Sequence, residues 1–359
     1  MRGAAWRAPA WLQEKVQKHH EDSEVQPYDV IIVGAGPVGF SCGIEAVRRG
    51  MRYLMIEKGC LVNSIYHFPT NMTFFSTSER LEIGEVPFIA HGYKPTRREA
   101  LEYYRRVRET WGLEVNFYER VTAISGERER FTVHTSRGEY AARTVVLATG
   151  FYDTPNLLGV PGEDLPKVKH YFDEPHPYAF HKVAVIGGGN SAVDVALETF
   201  RRSAEVTLIV REAGLKPSVK YWVRPDIENR LEEGAIRGYF NSDVAAIRES
   251  EIDVRTPDGI VTLANDFVLA MTGYRPDYPF LESLGLAFES DEARTPVLNP
   301  DSFESSRPGV YMAGVVCGGL NTSRWFIENA HAHAVRIFDD LERLRSPATA
   351  ASAPANTGR

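Results

Sequence analysis

The sequence predicts an α/β fold that contains one β-strand, glycine turn, helix and β-strand unit twice. The first copy is YDVIIVGAGPVGFSCGIEAVRRGMRYLMIEKG, residues 28–59, and the second is HKVAVIGGGNSAVDVALETFRRSAEVTLIVRE, residues 181–212. In both copies a short β-branched run leads into glycines, apolar residues then recur at helical spacing, and a second apolar run follows. Two such units in 359 residues, at roughly 150 residues per domain, predict two domains.

The remaining apolar segments extend these units. Residues 131–150 predict a hairpin that leads into a buried strand ending in Ala-Thr-Gly, and residues 252–263 predict a second hairpin with a Pro-Asp-Gly turn. Residues 265–277 and 308–319 each predict a further buried strand that ends in a glycine-containing turn. A last helix is predicted over roughly 323–345.

Composition narrows the class of protein. The chain is 43% apolar and 25% charged, which is typical of a globular protein. A formal net charge of −7 disfavours general nucleic-acid binding. No run of 18 apolar residues exists, and the first apolar run is too short for a signal-peptide core, so we expect a cytoplasmic protein without a membrane span. Residues 1–27 are interpreted as an extension, and the Ala/Pro/Ser-rich residues 346–359 are predicted to be disordered.

Three cysteines occur: Cys42, Cys60 and Cys317. Their odd number and wide spacing disfavour both a disulfide framework and a zinc site. His331 and His333 lie two residues apart on the predicted last helix and therefore point about 200° apart, which cannot build one metal site. We expect no metal.

The first glycine cluster has the spacing Gly34-x-Gly36-x-x-Gly39, with Pro37 at the start of the following helix. The first glycine allows a tight turn, the second lets backbone amides approach a pyrophosphate, and the third permits close packing of helix and strand. Glu57 follows Gly39 by 18 residues, at the end of the next strand, where a carboxylate can hold ribose hydroxyls. Together these features predict a dinucleotide site.

The second cluster, Gly-Gly-Gly-Asn-Ser-Ala over residues 187–192, is followed by a basic residue at the tip of its second strand. A guanidinium there suits a 2′-phosphate, so we predict NADPH rather than NADH. Two dinucleotide sites in one chain pair a flavin with a nicotinamide. The predicted NADPH contacts are Gly187, Gly189, Asn190, Ser191, Arg211 and Lys216.

The motifs GAGPVG, GGGNSA, LATG, MTGYRPD and PGVYMAG resemble the thioredoxin-reductase-like pyridine nucleotide flavoproteins, with coverage from about residue 28 to 345. The resemblance implies two Rossmann-like three-layer domains, an NADPH domain over residues 153–267 inserted into an FAD domain over 28–152 and 268–345. It also implies a homo-oligomer.

Four long segments are similar to the bacillithiol-disulfide reductase subfamily: EKGCLVNSIYHFPTNMTFFSTSERLEIGEVPF, GVPGEDLPKVKHYF, KPSVKYWVRPDI and FIENAHAHA. This resemblance implies an NADPH-dependent, FAD-containing enzyme that reduces a low-molecular-weight thiol disulfide. The expected acceptor is thus a small-molecule disulfide or a redox protein.

The predicted FAD site includes more than the glycine turn. The long loop after Glu57 is of a kind that tends to be functional, so Asn63 and Ser64 are predicted to hold FAD and Tyr66 and His67 to line its pocket. The complete set of predicted FAD and general cofactor contacts, beyond the NADPH residues above, is Gly34, Gly36, Pro37, Gly39, Glu57, Lys58, Asn63, Ser64, Tyr66, His67, Val121, Thr149, Gly150, Gly273, Gly314 and Val315.

The chain departs from its resemblances at three points. It lacks the Cys-x-x-Cys pair that thioredoxin reductases carry in the NADPH domain, which disfavours direct dithiol exchange with thioredoxin. Val38 stands after the proline of the first glycine turn, where many bacillithiol-type members have cysteine, and valine cannot form a mixed disulfide. Val315 follows Ala313-Gly314 in place of the family's acid.

Cys317 is the candidate catalytic thiol, because it follows the last predicted strand and precedes a helix whose N-terminus would point towards the flavin in a partly electropositive setting. Cys42 and Cys60 are weaker candidates, and without a reactive thiol the flavin must pass electrons directly to the acceptor. The alternative function is an NADPH:ferredoxin or flavodoxin reductase, which needs no cysteine and could dock an acidic partner on basic runs, namely Arg97-Arg98, Arg105-Arg106 and Arg201-Arg202. Flavin monooxygenases are disfavoured, since residues 165–181 lack their Phe-x-Gly-x-x-x-His fingerprint.

Overall fold

The computed structural model describes residues 26–345. The interpretation of residues 1–25 and the predicted disorder of 346–359 therefore fall outside the described residues. Residues 26–345 form three sheets. We call the elements around the seven-stranded sheet the first unit, and those around the five-stranded and three-stranded sheets the second unit.

The first unit has a sheet in the order β3-β2-β1-β6-β5-β4, with β15 beside the second half of β6. Strands β1, β2, β3, β6 and β15 run parallel, whereas β4 and β5 form an antiparallel extension. The last four residues of β1 are buried, as expected for a central parallel strand covered on both faces. The strands are β1 (Tyr28–Val33), β2 (Tyr53–Ile56), β3 (Val115–Asn116), β4 (Val121–Ser125), β5 (Phe131–Thr135), β6 (Glu139–Leu147) and β15 (Val310–Met312).

Six helices belong to the first unit. A capping box starts α4, where the Thr96 hydroxyl accepts the Glu99 amide, and Gly112 in the left-handed region ends it. The longest helix, α8, packs against α1. The helices are α1 (Pro37–Arg48), α2 (Asn63–Tyr66), α3 (Ser78–Leu81), α4 (Arg97–Trp111), α7 (Tyr278–Ser283) and α8 (Ile327–Arg345).

The second unit has a fully parallel sheet in the order β10-β9-β8-β14-β7 and an antiparallel sheet in the order β11-β12-β13. Helix α5 follows β8, and its apolar side chains pack over the parallel sheet. The elements are β7 (Val168–Lys169), β8 (Lys182–Ile186), α5 (Asn190–Phe200), β9 (Glu205–Ile209), α6 (Arg224–Glu232), β10 (Arg237–Tyr239), β11 (Asp243–Ile247), β12 (Glu251–Thr256), β13 (Gly259–Ala264) and β14 (Phe267–Ala270).

The predicted α/β class with two Rossmann-like units is confirmed, and both predicted hairpins form, as β5–β6 and β12–β13. Strands β3, β4, β7, β10 and β11 were not predicted. The predicted strand over 308–319 is shorter than expected, because Gly314 has a φ of 89° and ends it, and Val315–Gly318 forms a 3₁₀ turn.

The last helix begins at Ile327, later than predicted. The preceding residues are held in turns, since the Asn321 amide donates to the Gly318 carbonyl and the Arg324 amide to the Asn321 carbonyl. The Asn329 side chain accepts the Phe326 amide at 2.7 Å, which caps the helix at that point.

Two chain segments join the units, and they pair with each other. The Asn156 amide donates to the Gly273 carbonyl at 3.0 Å, and the Arg275 amide to the Thr154 carbonyl at 2.9 Å. The predicted domain boundaries at 152/153 and 267/268 stay a prediction.

Candidate active site

The first glycine turn joins β1 to α1. Gly34 has a φ of 105°, and a Cβ there would lie 2.5 Å from the Ala148 carbonyl oxygen. A Cβ at Gly39 would overlap the Gly34 carbonyl oxygen, so the turn can close only with glycine at that position. By contrast, a Cβ at Gly36 would meet no atom within 4 Å. The turn is thus tight on its inner side and open at the helix N-terminus, which is the shape that a pyrophosphate requires.

Glu57, the residue after β2, is buried and anchors the turn. Its Oε2 accepts the Ala35 amide and its Oε1 accepts the Gly59 amide, both at 2.8 Å. Burial raises the carboxyl pKa, while these two amide donors oppose that effect. Lys58 beside it forms an ion pair with Asp153 at 2.7 Å. Each Glu57 oxygen retains a further lone pair that can accept a ribose hydroxyl.

The second glycine turn, between β8 and α5, is as tight on its inner side as the first. Gly187 has a φ of 131°, and a Cβ there would lie 2.5 Å from the Met271 carbonyl oxygen. A Cβ at Gly189 would meet nothing closer than the Lys216 side chain, at 3.9 Å. The open space at the helix N-terminus is therefore bordered by a lysine.

A basic loop follows the second turn. The Lys216 amide donates to the Gly188 carbonyl at 2.9 Å, which holds this loop against the turn. Asn190 is already engaged there, since its Oδ1 accepts the Lys220 amide and its Nδ2 donates to the Ser218 carbonyl. Arg211 is 82% exposed and contacts Glu212 at 3.4 Å, so its guanidinium is accessible to an anion.

The loop after Glu57 forms the short helix α2. Asn63 turns back into this loop, where its Oδ1 accepts the Cys60 amide at 3.3 Å. Tyr66 is half exposed, with the Arg97 guanidinium over its ring, and its ring meets that of His67 edge-on. The His67 carbonyl accepts the Tyr152 hydroxyl at 3.0 Å, which ties this loop to the segment that leads into the second unit.

Other predicted contacts lie where the units meet or within the first sheet. Thr149 and Gly150 lie two and three residues after the end of β6, and a Cβ at Gly150 would meet no atom within 4 Å. Val121 is buried at the start of β4, and Gly273 lies in the second connecting segment with a φ of 87°.

A contact outside the predicted set links the two units beside the basic loop. The rings of Phe75, in the first unit, and Trp222, in the second, meet edge-on at 6.1 Å between centroids. The Lys94 ammonium lies 4.1 Å from the Trp222 ring centroid, and the Lys220 ammonium lies 4.5 Å from that of Phe75. Each unit thus places a cation over an aromatic ring of the other. We call these four residues the interdomain clamp.

The last predicted contacts converge on the start of α1. A Cβ on Gly314 would lie 3.4 Å from the Val38 side chain, so the end of β15 meets the first glycine turn. The Gly314 amide donates to His333 Nδ1 at 3.2 Å. Val315 opens the 3₁₀ turn that follows.

Cys317 lies in this 3₁₀ turn and is 3% exposed. Burial raises the pKa of its thiol and the neighbouring Cys42 acts in the same direction, while the Arg324 charge and a backbone hydrogen bond oppose them. The setting is therefore not the electropositive one that the sequence suggested, because burial outweighs the one cation. A catalytic role for Cys317 stays a prediction.

The other two thiols are similarly unfavourable. Cys42 is completely buried in α1, and burial raises its pKa, with Glu45 adding to the effect. Cys60 is partly buried, and its pKa is also raised, again mainly by burial. All three cysteines are unpaired.

Sequence reasoning missed His333 as a site residue and treated it only as a non-ligand. The sequence pattern could have identified it, because the helical spacing places His333 on the apolar stripe of α8 with Ala330, Ala334 and Ile337. Among the described residues no three His, Cys, Asp or Glu side chains lie together in a way that could hold a metal ion. No helix in that part of the chain is both long and apolar enough to cross a membrane.

The fold and the two glycine turns define a class: an oxidoreductase with two dinucleotide sites. A protein-family model described as "Pyridine nucleotide-disulphide oxidoreductase" matches residues 31–314. The chain belongs to this family. Membership makes it an NAD(P)H-dependent flavin oxidoreductase, with FAD and NAD(P)H as its cofactors.

Among curated proteins, the chain is 44% identical to the bacilliredoxin reductase Bdr of Bacillus subtilis, over 87% of this chain and 97% of the relative. It is 25% identical to a ferredoxin–NADP reductase of Ignicoccus hospitalis, over 80% of this chain and 89% of that protein. Among solved structures, the bacillithiol disulfide reductase Bdr of Staphylococcus aureus matches with a TM-score of 0.87 and 40% identity, over 90% of this chain and all of that one. These relatives agree with the resemblance seen in the sequence.

The residues present fit both cofactors. At Gly36 and Gly150 there is open space beside a helix N-terminus or a strand end, and Glu57 retains acceptor capacity next to it. The second turn offers open space at Gly189 that is bordered by Lys216. Arg211, five residues before Lys216, has an exposed guanidinium.

Proposed function

We propose that this enzyme uses NADPH to reduce a low-molecular-weight thiol disulfide of the bacillithiol type. The observation that supports it most strongly is the 44% identity to a bacilliredoxin reductase across nearly the whole of both chains. Structures titled bacillithiol disulfide reductase, at 40% and 42% identity, support the same acceptor. The lack of a Cys-x-x-Cys pair fits a small disulfide better than thioredoxin.

In this proposal the first glycine turn holds FAD and the second holds NADPH. The flavin, when bound, supplies two-electron chemistry between the nicotinamide and the disulfide. The α1 N-terminus stabilises the pyrophosphate charge at Gly36, and Glu57 fixes the turn through the Ala35 and Gly59 amides while accepting a ribose hydroxyl. Of the remaining predicted contacts, Thr149 and Gly150 border the FAD space at the end of β6.

The preference for NADPH over NADH rests on the basic loop. Lys216 borders the open space at Gly189, and Arg211 follows β9, the strand whose tip carries the nucleotide's ribose in this kind of fold. Both side chains can pair with a 2′-phosphate, which NADH lacks. Glu212 lies beside Arg211 and moderates this preference.

The chemistry at the acceptor end depends on whether a cysteine takes part. Reduction of a disulfide through Cys317 would need its thiolate, and burial favours the neutral thiol. These surroundings fit an enzyme in which no protein thiol takes part in reducing the disulfide.

The test is anaerobic NADPH oxidation by the FAD-loaded protein with bacillithiol disulfide, beside the Cys317→Ala variant and a Cys42→Ala control. We expect disulfide-dependent turnover that Cys317→Ala leaves within about twofold of wild type. Turnover lost only in Cys317→Ala would make Cys317 the catalytic thiol. Absence of disulfide turnover in all three proteins would overturn the proposed acceptor.

Restoring the missing cysteine sharpens this test. Val38 lies in the first turn of α1, where the helix dipole lowers a thiol pKa, so Val38→Cys would place a potential thiolate beside Gly314. Val38→Ala controls for the change in volume. Faster disulfide reduction in Val38→Cys alone would show that a thiol at this position can take part in the reaction, and an unchanged rate would support a route that needs no thiol there.

The second candidate function is an NADPH:ferredoxin or flavodoxin reductase. The observation that favours it is that burial raises the pKa of all three thiols, which suits an enzyme that uses none of them. The basic runs do not strengthen it, because Arg97 binds backbone carbonyls, Arg105 pairs with two glutamates and Arg201 pairs with Asp226. Turnover with purified ferredoxin in place of the disulfide would establish it.

We also propose that the enzyme is a cytoplasmic homo-oligomer. The three unpaired cysteines support a reducing compartment, and the resemblance to the family supports the oligomer. Sedimentation equilibrium of the FAD-loaded protein tests the assembly, and a monomer at all concentrations would contradict it.

A further inference from the structure

Helix α8 carries a polar residue on its buried face. Its apolar stripe is formed by Ala330, Ala334, Ile337 and Phe338, all completely buried. His333 falls on the same stripe and is 1% exposed. Histidine at such a position needs a partner for its ring nitrogens, because burying a polar group without a hydrogen bond is unfavourable.

His333 has that partner on one side of the ring only. Its Nδ1 accepts the Gly314 amide at 3.2 Å, so in the neutral ring the proton is on Nε2. Nε2 is buried and meets no hydrogen-bond partner among the described residues. The ring stacks on Phe303 at 4.0 Å between centroids and meets Trp325 edge-on at 4.3 Å. The imidazole is thus fixed in orientation and in tautomer.

Gly314 is the point through which His333 reaches the first glycine turn. It has a φ of 89°, and the position of its absent Cβ is 3.4 Å from Val38 in the first turn of α1. Its carbonyl accepts the Cys317 amide at 3.1 Å, which closes the 3₁₀ turn. A change in the direction of the Gly314 amide would therefore move Val315 and this turn against α1.

We propose that His333 is a positioning residue for the flavin site, whose neutral ring holds the Gly314–Val315 turn against the N-terminus of α1. It touches no reacting atom and acts through the Gly314 amide. The proposal rests on the first glycine turn being the FAD site, as proposed above.

The charge of the ring decides whether the bond exists. Protonation would place an Nδ1 hydrogen against the Gly314 N–H and remove the acceptor. Burial lowers the His333 pKa to about 4, and the nearby Arg336, His331 and Arg324 act in the same direction. Because this value lies below the ordinary pKa near 6.5, the neutral ring is maintained at neutral pH, and acidification towards about pH 4 weakens the native arrangement.

The test compares three variants for FAD binding. His333→Phe keeps the ring and its stacking but removes the acceptor, and His333→Asn keeps an acceptor oxygen at the place of Nδ1. His331→Phe, a partly exposed histidine of the same helix, is the matched control. FAD dissociation constants are measured by fluorescence at neutral pH, with the visible circular dichroism of the bound flavin as a second readout.

We expect His333→Phe to weaken FAD binding about tenfold and to change the flavin dichroism, because a buried amide loses its acceptor. His333→Asn should bind within about threefold of wild type. Unchanged FAD affinity and dichroism in a folded His333→Phe protein would overturn the proposal. Failure of wild type itself to bind FAD would instead contradict the proposed function.

If His333→Phe does not fold, acid-dependent FAD release decides. Wild type should release FAD as the pH falls towards about 4, whereas His333→Asn, which has no titrating ring, should show a smaller acid dependence. Identical release curves for the two proteins would overturn the proposal.

Discussion

The two glycine turns have the same backbone and different surroundings. In both, the first glycine has a positive φ and faces a carbonyl oxygen of a neighbouring strand end, that of Ala148 in one and Met271 in the other. In the first unit, β2 is followed by the buried acid Glu57. In the second unit, β9 is followed by the exposed Arg211. In the proposed assignment the shared backbone provides a phosphate site in each unit, and the residues after the second strand distinguish one dinucleotide from the other.

The largest expected effect comes from the third position of each turn, Gly39 in one and Ala192 in the other. Gly39→Ala would place a Cβ against the Gly34 carbonyl oxygen, a backbone atom that cannot move without opening the turn. We expect a loss of about 1–3 kcal/mol in the free energy of unfolding and no measurable FAD binding.

Ala192→Gly is the matched change in the second turn. It removes a buried Cβ from the first turn of α5 and should cost about 1 kcal/mol of stability while leaving FAD bound. Chemical denaturation and flavin content after purification measure both. If Gly39→Ala retained as much FAD as Ala192→Gly does, the first turn would not be the FAD site.

The next effect concerns Glu57. Glu57→Gln removes a charged acceptor and presents an amide group to one of the two backbone donors, Ala35 or Gly59. A hydrogen bond to a charged group contributes about 1.5–3 kcal/mol, so FAD affinity should fall about tenfold or more. Glu45→Gln, in α1 but paired with arginines, serves as the control. Equal FAD affinity in Glu57→Gln and wild type would exclude the anchoring role.

A smaller effect is expected for the basic loop. Lys216→Met and Arg211→Gln should each lower the ratio of kcat/KM for NADPH to that for NADH by about tenfold, which corresponds to about 1.4 kcal/mol. Arg202→Gln, an exposed arginine after α5, should leave the ratio unchanged. A ratio that stays constant in both loop variants would place the 2′-phosphate elsewhere.

The smallest effect is expected at the interdomain clamp, which lies beside that loop. Trp222→Ala removes the ring that Phe75 contacts and that the Lys94 ammonium faces. The partly exposed pair contributes about 0.5–1 kcal/mol, so the free energy of unfolding should fall by that amount and the KM for NADPH should rise modestly. Phe180→Ala, an exposed aromatic of the same unit that lies before β8, is the control. Identical values for the two variants would show that the clamp does not stabilise the loop.

The backbone of both sites could be predicted from the sequence, because the turn is sterically possible only with glycine at fixed positions. Gly34 and Gly187 are required by positive φ values and close carbonyls, which is what the motif encodes. The missed strand β11 and the late start of α8 depend on local hydrogen bonds, such as that from the Phe326 amide to Asn329, that no periodicity records.

The burial of Cys317 could not be predicted from the sequence, for a different reason. The sequence shows a cysteine between glycines ahead of a helix, which suggests an accessible thiol. Its actual burial comes from distant residues that pack around the 3₁₀ turn, including α1 with Cys42. The proposed role of His333 could not be predicted either. The sequence does not show whether a buried histidine accepts a hydrogen bond from a backbone amide, as His333 does from Gly314 in the fold.

The most direct measurement is an anaerobic titration of the FAD-loaded protein, following flavin absorbance as NADPH and then bacillithiol disulfide are added. We predict that NADPH bleaches the flavin in a one-to-one ratio and that the disulfide restores its absorbance. A flavin that NADPH does not bleach would contradict the assignment of the two dinucleotide sites. A bleached flavin that ferredoxin restores and the disulfide does not would contradict the proposed acceptor.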